Sequence, residues 1–202
     1  MSGSAEPRAL PRPLDTFMPR FDVRERHTVT VRAPAPLVYQ VAREIDVQSI
    51  PLVRAIFWAR AKLMRSQPAR PMTEGFIDET RALGWACLLE RPGELYVSGA
   101  ACEPWLANVV FDPIAPDKFL AFAEPDRVKI AWTIECRSRG TALTELSSET
   151  RAVATDDEAR RRFLAYWRWA RVGIVSIRWL LLPAIRKRTE ALYRAGHGGN
   201  GG

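Results

Sequence analysis

Residues 147–170, SSETRAVATDDEARRRFLAYWRWA, change character in their middle and decide the fold. The first part alternates with the period of a β-strand, and the second part has the signals of a helix start. Thr155 and Glu158 have the T-x-x-E spacing of a capping box, and the acidic residues between them favour the positive end of a helix dipole. The stretch therefore predicts a strand that leads directly into a long helix.

The predicted helix carries one continuous apolar stripe. From residue 156 to residue 182 it would measure about 40 Å at ~1.5 Å per residue, long enough to cross a whole sheet. Pro183 is expected to kink or end it. Arginines lie mostly on another side of the helix. The stripe follows the 3.6-residue period through Phe163, Trp167, Ala170, Ile174, Ile177 and Leu181.

The strand before the helix is predicted to form a hairpin with residues 128–137, which alternate between one buried and one wet face. The hydrophobic match places Leu146 opposite Ile134 and Ser148 opposite Trp132. In this register Glu145, Glu149 and Arg151 point to solvent, while the inner face carries Ser148 and Thr150. Such a small, mildly polar inner face predicts a ligand, ordered water or a closely docked helix.

The remaining elements complete an α+β pattern. His27, Val29 and Val31 alternate in a first strand, and two short helices follow. The second of these starts with Ser49 as N-cap and Pro51 in its first turn. Its predicted apolar stripe is Leu52, Ile56, Ala59 and Leu63, and a further hairpin turns at Arg91, Pro92, Gly93 and Glu94.

Composition predicts one domain over residues 21–194, with a flexible lead at 1–20 and a disordered glycine-rich tail at 195–202. The chain has 202 residues and a net charge of +7. That charge is compatible with an anionic membrane, whereas the scattered arginines do not indicate nucleic acid. Cys87, Cys102 and Cys136 lack C-x-x-C spacing, and no secretory signal is predicted, so we expect reduced thiols in the cytoplasm.

The order of these elements resembles the START-like superfamily, also called SRPBCC, of polyketide cyclase/dehydrase and lipid-transport proteins. The opening HTVTVRAPAPLVYQVARE is similar to the usual first strand and helix, and the SETR…FLAYW segment is similar to that of an uncharacterised bacterial branch. The resemblance covers about residues 22–192. It implies a helix-grip fold, in which a curved antiparallel sheet wraps around the last helix and leaves an apolar cavity. It implies no particular reaction.

A ligand pocket is predicted between the sheet and the last helix. Trp132 and Trp167 are expected to form opposite walls, and Ser148 and Thr150 to orient a polar end of the ligand. No cofactor is expected, and 2 histidines offer no metal site and no Rieske cluster. The full predicted lining is Tyr96, Trp105, Ile130, Trp132, Ser148, Thr150, Phe163 and Trp167.

Three functions are compatible with this pattern. The first, which we favour, is binding of a lipid, isoprenoid or polycyclic aromatic without catalysis. The second is a cyclase- or dehydrase-type enzyme, for which His27, Glu103 and Tyr96 are weak catalytic candidates. The third is docking of the basic last helix on an anionic membrane or a partner, with Trp179 and Leu180 inserted and Arg186, Lys187 and Arg188 adding charge.

Overall fold

A computed structural model describes residues 12–65 and 75–197, and it shows an α+β fold. The parts of the predicted lead and tail at 1–11 and 198–202 lie outside the described residues. The strands are β1 (Val23–Val31), β2 (Ala86–Arg91), β3 (Leu95–Cys102), β4 (Asp112–Pro113), β5 (Val128–Gly140) and β6 (Leu143–Ala154). The helices are α1 (Ala35–Glu44), α2 (Pro51–Met64), α3 (Phe76–Ala82), α4 (Pro116–Phe119) and α5 (Asp157–His197).

The strands form one antiparallel sheet in the order β1-β6-β5-β3-β2, with β4 paired to β3. The sheet is not closed, since β1 and β2 are its edges. Helices α1 and α5 pack against its inner face, where Val38 and Tyr96 share a core with Leu182 and Ile185. A sheet that grips one long C-terminal helix is the helix-grip arrangement, so the predicted fold class is confirmed.

The β5–β6 register differs from the predicted one by two residues. Trp132 is opposite Thr150, and Cys136 is opposite Leu146. Because side chains alternate between faces, a shift of two leaves every residue on its predicted face. Thr150 therefore points inward, as expected, with a different neighbour.

The outer face of the sheet is covered, and the prediction of a wet face is wrong there. Residues 12–20 were expected to belong to a flexible lead, but Leu14 and Met18 are buried in a core on this face with Phe119. This segment also covers Glu149 and Arg151, which were predicted to point to solvent and are 4% and 2% exposed. The apolar side chains of this segment, which is mostly polar in sequence, therefore cover the outer face of the sheet.

Helix α5 begins and ends differently from the prediction. Asp156, not Thr155, caps its start, because an Asp156 carboxylate oxygen accepts a hydrogen bond from the Ala159 N–H at 2.8 Å. The helix continues through Pro183 to His197 and so includes the first residues of the predicted tail. Buried Leu182 and Ile185 hold it on both sides of the proline. The carbonyl that loses its partner belongs to residue 179 on an exposed turn, where water can satisfy it.

Helix α2 also differs from its predicted form. Its N-cap is Ile50 rather than Ser49, although Pro51 does occupy the first turn. The Ser49 hydroxyl donates instead to the Asp46 carbonyl at 2.6 Å. Of the predicted stripe, Ile56 is partly buried, whereas Leu52, Ala59 and Leu63 are exposed.

The predicted turn of the β2–β3 hairpin is confirmed. The Glu94 N–H donates to the Arg91 carbonyl at 3.0 Å, and Gly93 has a φ of +82°. That backbone angle is the one for which a type II turn requires glycine.

Candidate functional site

Arg178 reaches from α5 toward the inner face of the sheet and is partly buried there. Its Nη2 donates a hydrogen bond to the Thr150 hydroxyl. Its Nη1 is buried and has no hydrogen-bond partner among the described residues. Since the large majority of buried side-chain donors in folded proteins have a partner, this donor calls for an explanation.

The electrostatic environment of the Arg178 guanidinium also indicates a group whose charge is incompletely compensated. Burial lowers the pKa of its guanidinium to about 10, although the Glu25 carboxylate acts in the opposite direction. Glu25 is itself engaged by Arg171, whose Nε lies 2.9 Å from a Glu25 oxygen. The charge of Arg178 is therefore held in a partly buried position with incomplete compensation among the described residues, which costs free energy in the unliganded protein.

A small cavity lies beside this guanidinium, between β1 and α5. Its volume is about 20 Å³, which is room for about one water molecule. A larger ligand would enter only if α5 and β1 separated locally. The cavity is lined by Glu25, Arg26, His27, Val175, Arg178 and Trp179.

This arrangement is suited to binding an anion. A guanidinium presents its N–H donors in a planar fork that matches a carboxylate or phosphate group. Nη2 is held by Thr150, and Nη1 remains available for a further acceptor. The apolar side chains next to it, Val175 and Trp179, would contact the body of such a ligand.

The predicted polar pair, Ser148 and Thr150, lies on the inner face as expected. Thr150 is between Glu25 on β1 and Trp132 on β5, and Ser148 is opposite His27. Thr150 thus contacts Arg178 and belongs to the site, while Ser148 lies two residues along the same strand. Their predicted role of orienting a polar ligand end stays a prediction.

The predicted aromatic lining is divided between two clusters. Tyr96 and Trp132 pack together, with ring centroids 5.6 Å apart, in the core with Leu181 and Ile185. The other members pack around the first half of α5, so Trp132 and Trp167 belong to different clusters. This second group consists of Trp105, Ile130, Phe163 and Trp167, together with Tyr166 and Ala170.

The weak catalytic candidates have separate partners. His27 stacks on Trp179, with ring centroids 4.5 Å apart, and lines the small cavity. Glu103 follows β3 and forms an ion pair with Arg127 at 3.5 Å. The structure therefore places His27, but not Glu103, next to the Arg178 site.

The hydroxyl of Tyr96 belongs to a polar cluster that ties α1 and α3 to the sheet. It accepts a hydrogen bond from Arg81 Nε at 3.1 Å. Arg81 and Arg43 both pair with Glu90, and the Tyr39 hydroxyl donates to the same carboxylate at 2.8 Å. Burial and Glu90 raise the pKa of Tyr39, so it remains a neutral donor.

Arg178 was not singled out from the sequence because it was grouped with the arginines on the polar side of the helix. A signal was present, since Arg178 follows Ile174 of the apolar stripe by four positions. Residues four apart lie on the same helix face, so this arginine had to border the buried stripe.

Two further kinds of feature are absent from the described residues. No group of three or more histidine, cysteine, aspartate or glutamate residues in residues 12–65 and 75–197 could hold a metal ion. No helix within the same ranges is both long and apolar enough to cross a membrane.

Comparisons with known proteins give no family assignment. No protein-family profile matches the sequence, and no curated protein matches it. A hypothetical protein of known structure from Helicobacter pylori is 11% identical, with 93% of this chain and 99% of that chain covered and a TM-score of 0.39. The Zhui aromatase/cyclase from Streptomyces sp. R1128 is 16% identical, with 84% and 97% covered and a TM-score of 0.29. A protein from Chromobacterium violaceum is 13% identical, with 83% and 96% covered and a TM-score of 0.35.

These similarities carry no argument about the site. At such identities and TM-scores, what the neighbours do remains a statement about the neighbours. The proposed function is therefore based on the residues of this chain.

Proposed function

We propose that the protein binds an amphipathic small molecule with an apolar body and an anionic end, between the inner face of the sheet and α5. The observation that carries the proposal is the buried Nη1 donor of Arg178, which lacks a partner among the described residues. A carboxylate or phosphate oxygen would supply that partner and compensate the charge.

The energetics of such a complex favour a ligand with both parts. Burial of an apolar body contributes about 25 cal/mol per Å² of surface removed from water. A hydrogen bond to a charged group adds about 1.5–3 kcal/mol, or a factor of about 10–100 in affinity. Separating α5 from β1 costs free energy that opposes both the apolar burial and the hydrogen bond. Neither part of the ligand alone is therefore expected to bind tightly.

The test compares a long-chain fatty acid with the fatty alcohol of the same length. Tryptophan fluorescence should report binding, because Trp179 lines the cavity beside Arg178. The acid should bind at least about tenfold more tightly than the alcohol, because only the acid pairs with the guanidinium. The variant Arg178→Met keeps an apolar stem of similar length and should remove this preference.

The matched control is Arg168→Met. Arg168 lies on the same helix but is exposed, so this variant should bind the acid as the wild type does. If acid and alcohol bind equally to the wild type, or if Arg178→Met retains the preference, the anionic end is not recognised by Arg178 and the proposal is overturned.

A cyclase- or dehydrase-type reaction is the second candidate, favoured by one observation. His27 lines the same cavity as Arg178, so a base and a cation that could stabilise an enolate oxygen lie side by side. Turnover of a polyketide-like substrate that is lost in His27→Gln, with binding retained, would support catalysis. Binding without turnover in the wild type would support ligand binding without catalysis.

A further inference from the structure

Helix α2 exposes an unusual number of large apolar side chains. Among its described side chains, only Val53 is buried. Trp58 and Leu63 are 62% and 69% exposed, and Leu52 is also exposed. Three members of the predicted apolar stripe, Leu52, Ala59 and Leu63, are therefore exposed, and the fourth, Ile56, is partly buried. A helix that shows this much apolar surface to water is typical of a docking element.

The exposed helix is fixed to the rest of the protein through α5. The close approach occurs at Gly173, where a Cβ added to the glycine would lie 3.1 Å from Cγ2 of Ile56. Met64 at the other end of α2 packs on the cluster around Phe163. On the α5 side, Val172, the neighbour of Gly173 in sequence, is 71% exposed, so a further large apolar side chain is exposed on the helix that holds α2.

The charge of this surface has one sign. Residues 47–65 contain no aspartate or glutamate, and neither do residues 159–189, which include most of α5. The exposed cations next to the apolar residues are Arg54 and Lys62 on α2 and Arg65 at its C-cap. Lys62 Nζ lies 4.6 Å from the centre of the Trp58 ring, so a cation and an amphipathic ring are held side by side.

We propose that α2 and the adjoining turn of α5 dock on an anionic lipid bilayer. Trp58 and Leu63 would lie among the lipid headgroups, while Lys62 and Arg65 contact the lipid phosphates. Charge complementarity favours this occupant over a second copy of the chain, because two copies of one acid-free basic surface repel each other. The proposal does not depend on the ligand site at Arg178.

The predicted membrane contact at the other part of α5 is less suitable. Trp179 is exposed but stacks on His27. Arg186 is engaged by Glu190, with 3.2 Å between Nε and Oε1. The structure therefore favours α2 as the docking element.

The test is flotation of the full chain with vesicles of phosphatidylcholine alone and with about one third phosphatidylglycerol. The protein should bind the anionic vesicles at least about tenfold more tightly, and about 1 M salt should release most of it. The variant Leu63→Glu should weaken binding by about tenfold or more, because it places a carboxylate in the centre of the apolar contact.

The matched control is Leu83→Glu. Leu83 follows α3 outside the docking surface and is 60% exposed, so this variant introduces the same charge at similar exposure and should bind as the wild type does. Equal loss in both variants, equal binding to both vesicle types, or salt-insensitive binding would overturn the proposal. So would an absence of vesicle binding together with concentration-dependent dimers that Leu63→Glu abolishes.

A second measurement reports the location of the surface without a disruptive change. Lipids brominated near the headgroup quench tryptophans that enter the bilayer. Trp58→Phe should lose a clear part of the quenching seen in the wild type while retaining most of the binding. Unchanged quenching in Trp58→Phe would show that α2 stays outside the bilayer.

Discussion

Arg151 and Arg178 are withdrawn from water on opposite faces of the same sheet, and they differ in how they are compensated. On the outer face, Arg151 donates to Glu149 at 2.8 Å, to the Met18 carbonyl at 2.8 Å and to Asp15 at 2.7 Å. On the inner face, Arg178 donates to Thr150 and leaves Nη1 without a partner among the described residues.

The difference distinguishes an arginine that the chain itself engages fully from one that we propose to bind a ligand. Every nitrogen of the Arg151 guanidinium is used by the chain itself, and its partners fasten residues 12–20 to the sheet. Arg178 has a buried donor without a partner among the described residues, and an anionic ligand would supply that partner under the proposed function. On the outer face the chain's own groups therefore satisfy the buried arginine, whereas on the inner face the proposed ligand would do so.

The largest effect is expected from Arg151→Met. The change leaves Glu149 buried with reduced compensation and releases the segment held by Asp15 and Met18. Breaking a buried ion pair in this way destabilises a fold by about 3–5 kcal/mol, and a urea titration would measure it. A loss below about 1 kcal/mol would show that the outer network contributes little to stability.

Arg178→Met is expected to act in the opposite direction. Without ligand, the variant should be more stable than the wild type by about 1–3 kcal/mol, because a desolvated charge with an unmet donor is replaced by apolar surface. The same urea titration measures it. Arg168→Met, an exposed change on the same helix, should stay within about 0.5 kcal/mol of the wild type. A clear destabilisation by Arg178→Met would place Arg178 in the same structural class as Arg151.

A smaller effect is expected from Asp15→Asn. Desolvation acts to raise the pKa of Asp15, but the Arg12 N–H and the Arg151 guanidinium prevail and lower it. A lowered pKa means that the carboxylate stabilises the fold above its unfolded pKa of about 4, and that this contribution fades as the pH falls toward the folded pKa. Because Asp15 is half exposed, the loss at neutral pH should be about 1 kcal/mol or less.

The measurement is the stability difference between the wild type and Asp15→Asn as a function of pH. The difference should be constant from pH 7 to about pH 5 and shrink toward zero as the solution becomes more acidic. A difference that grows on acidification would contradict the assigned ion pair with Arg151.

The sheet and the long helix were predictable because each has a strong local signal. The alternation in β5 and the stripe from Phe163 to Leu181 follow the periods of strand and helix closely. The cover of the outer face was not predictable in the same way. Leu14 and Met18 lie in a short segment that contains several prolines and arginines, and only their long-range contact with Phe119 and the sheet makes them core residues.

The candidate site was predictable only in part, for a related reason. Thr150 follows from strand alternation, whereas the burial of Arg178 depends on how α5 is rotated against β6. The exposure of the α2 stripe was not predictable, because an apolar period indicates which residues share a helix face but not whether that face contacts protein or solvent. Leu52 and Leu63 are exposed to solvent, and the proposed membrane-docking surface is based on that exposure.

The most direct test of the central claim is native mass spectrometry of the full chain after exposure to a total lipid extract, with solvent extraction to identify bound species. One acidic amphiphile is expected to be bound to the wild type and to Arg168→Met, and none to Arg178→Met. A neutral lipid in the wild type, or the same acidic species in Arg178→Met, would contradict the claim that Arg178 awaits an anionic ligand.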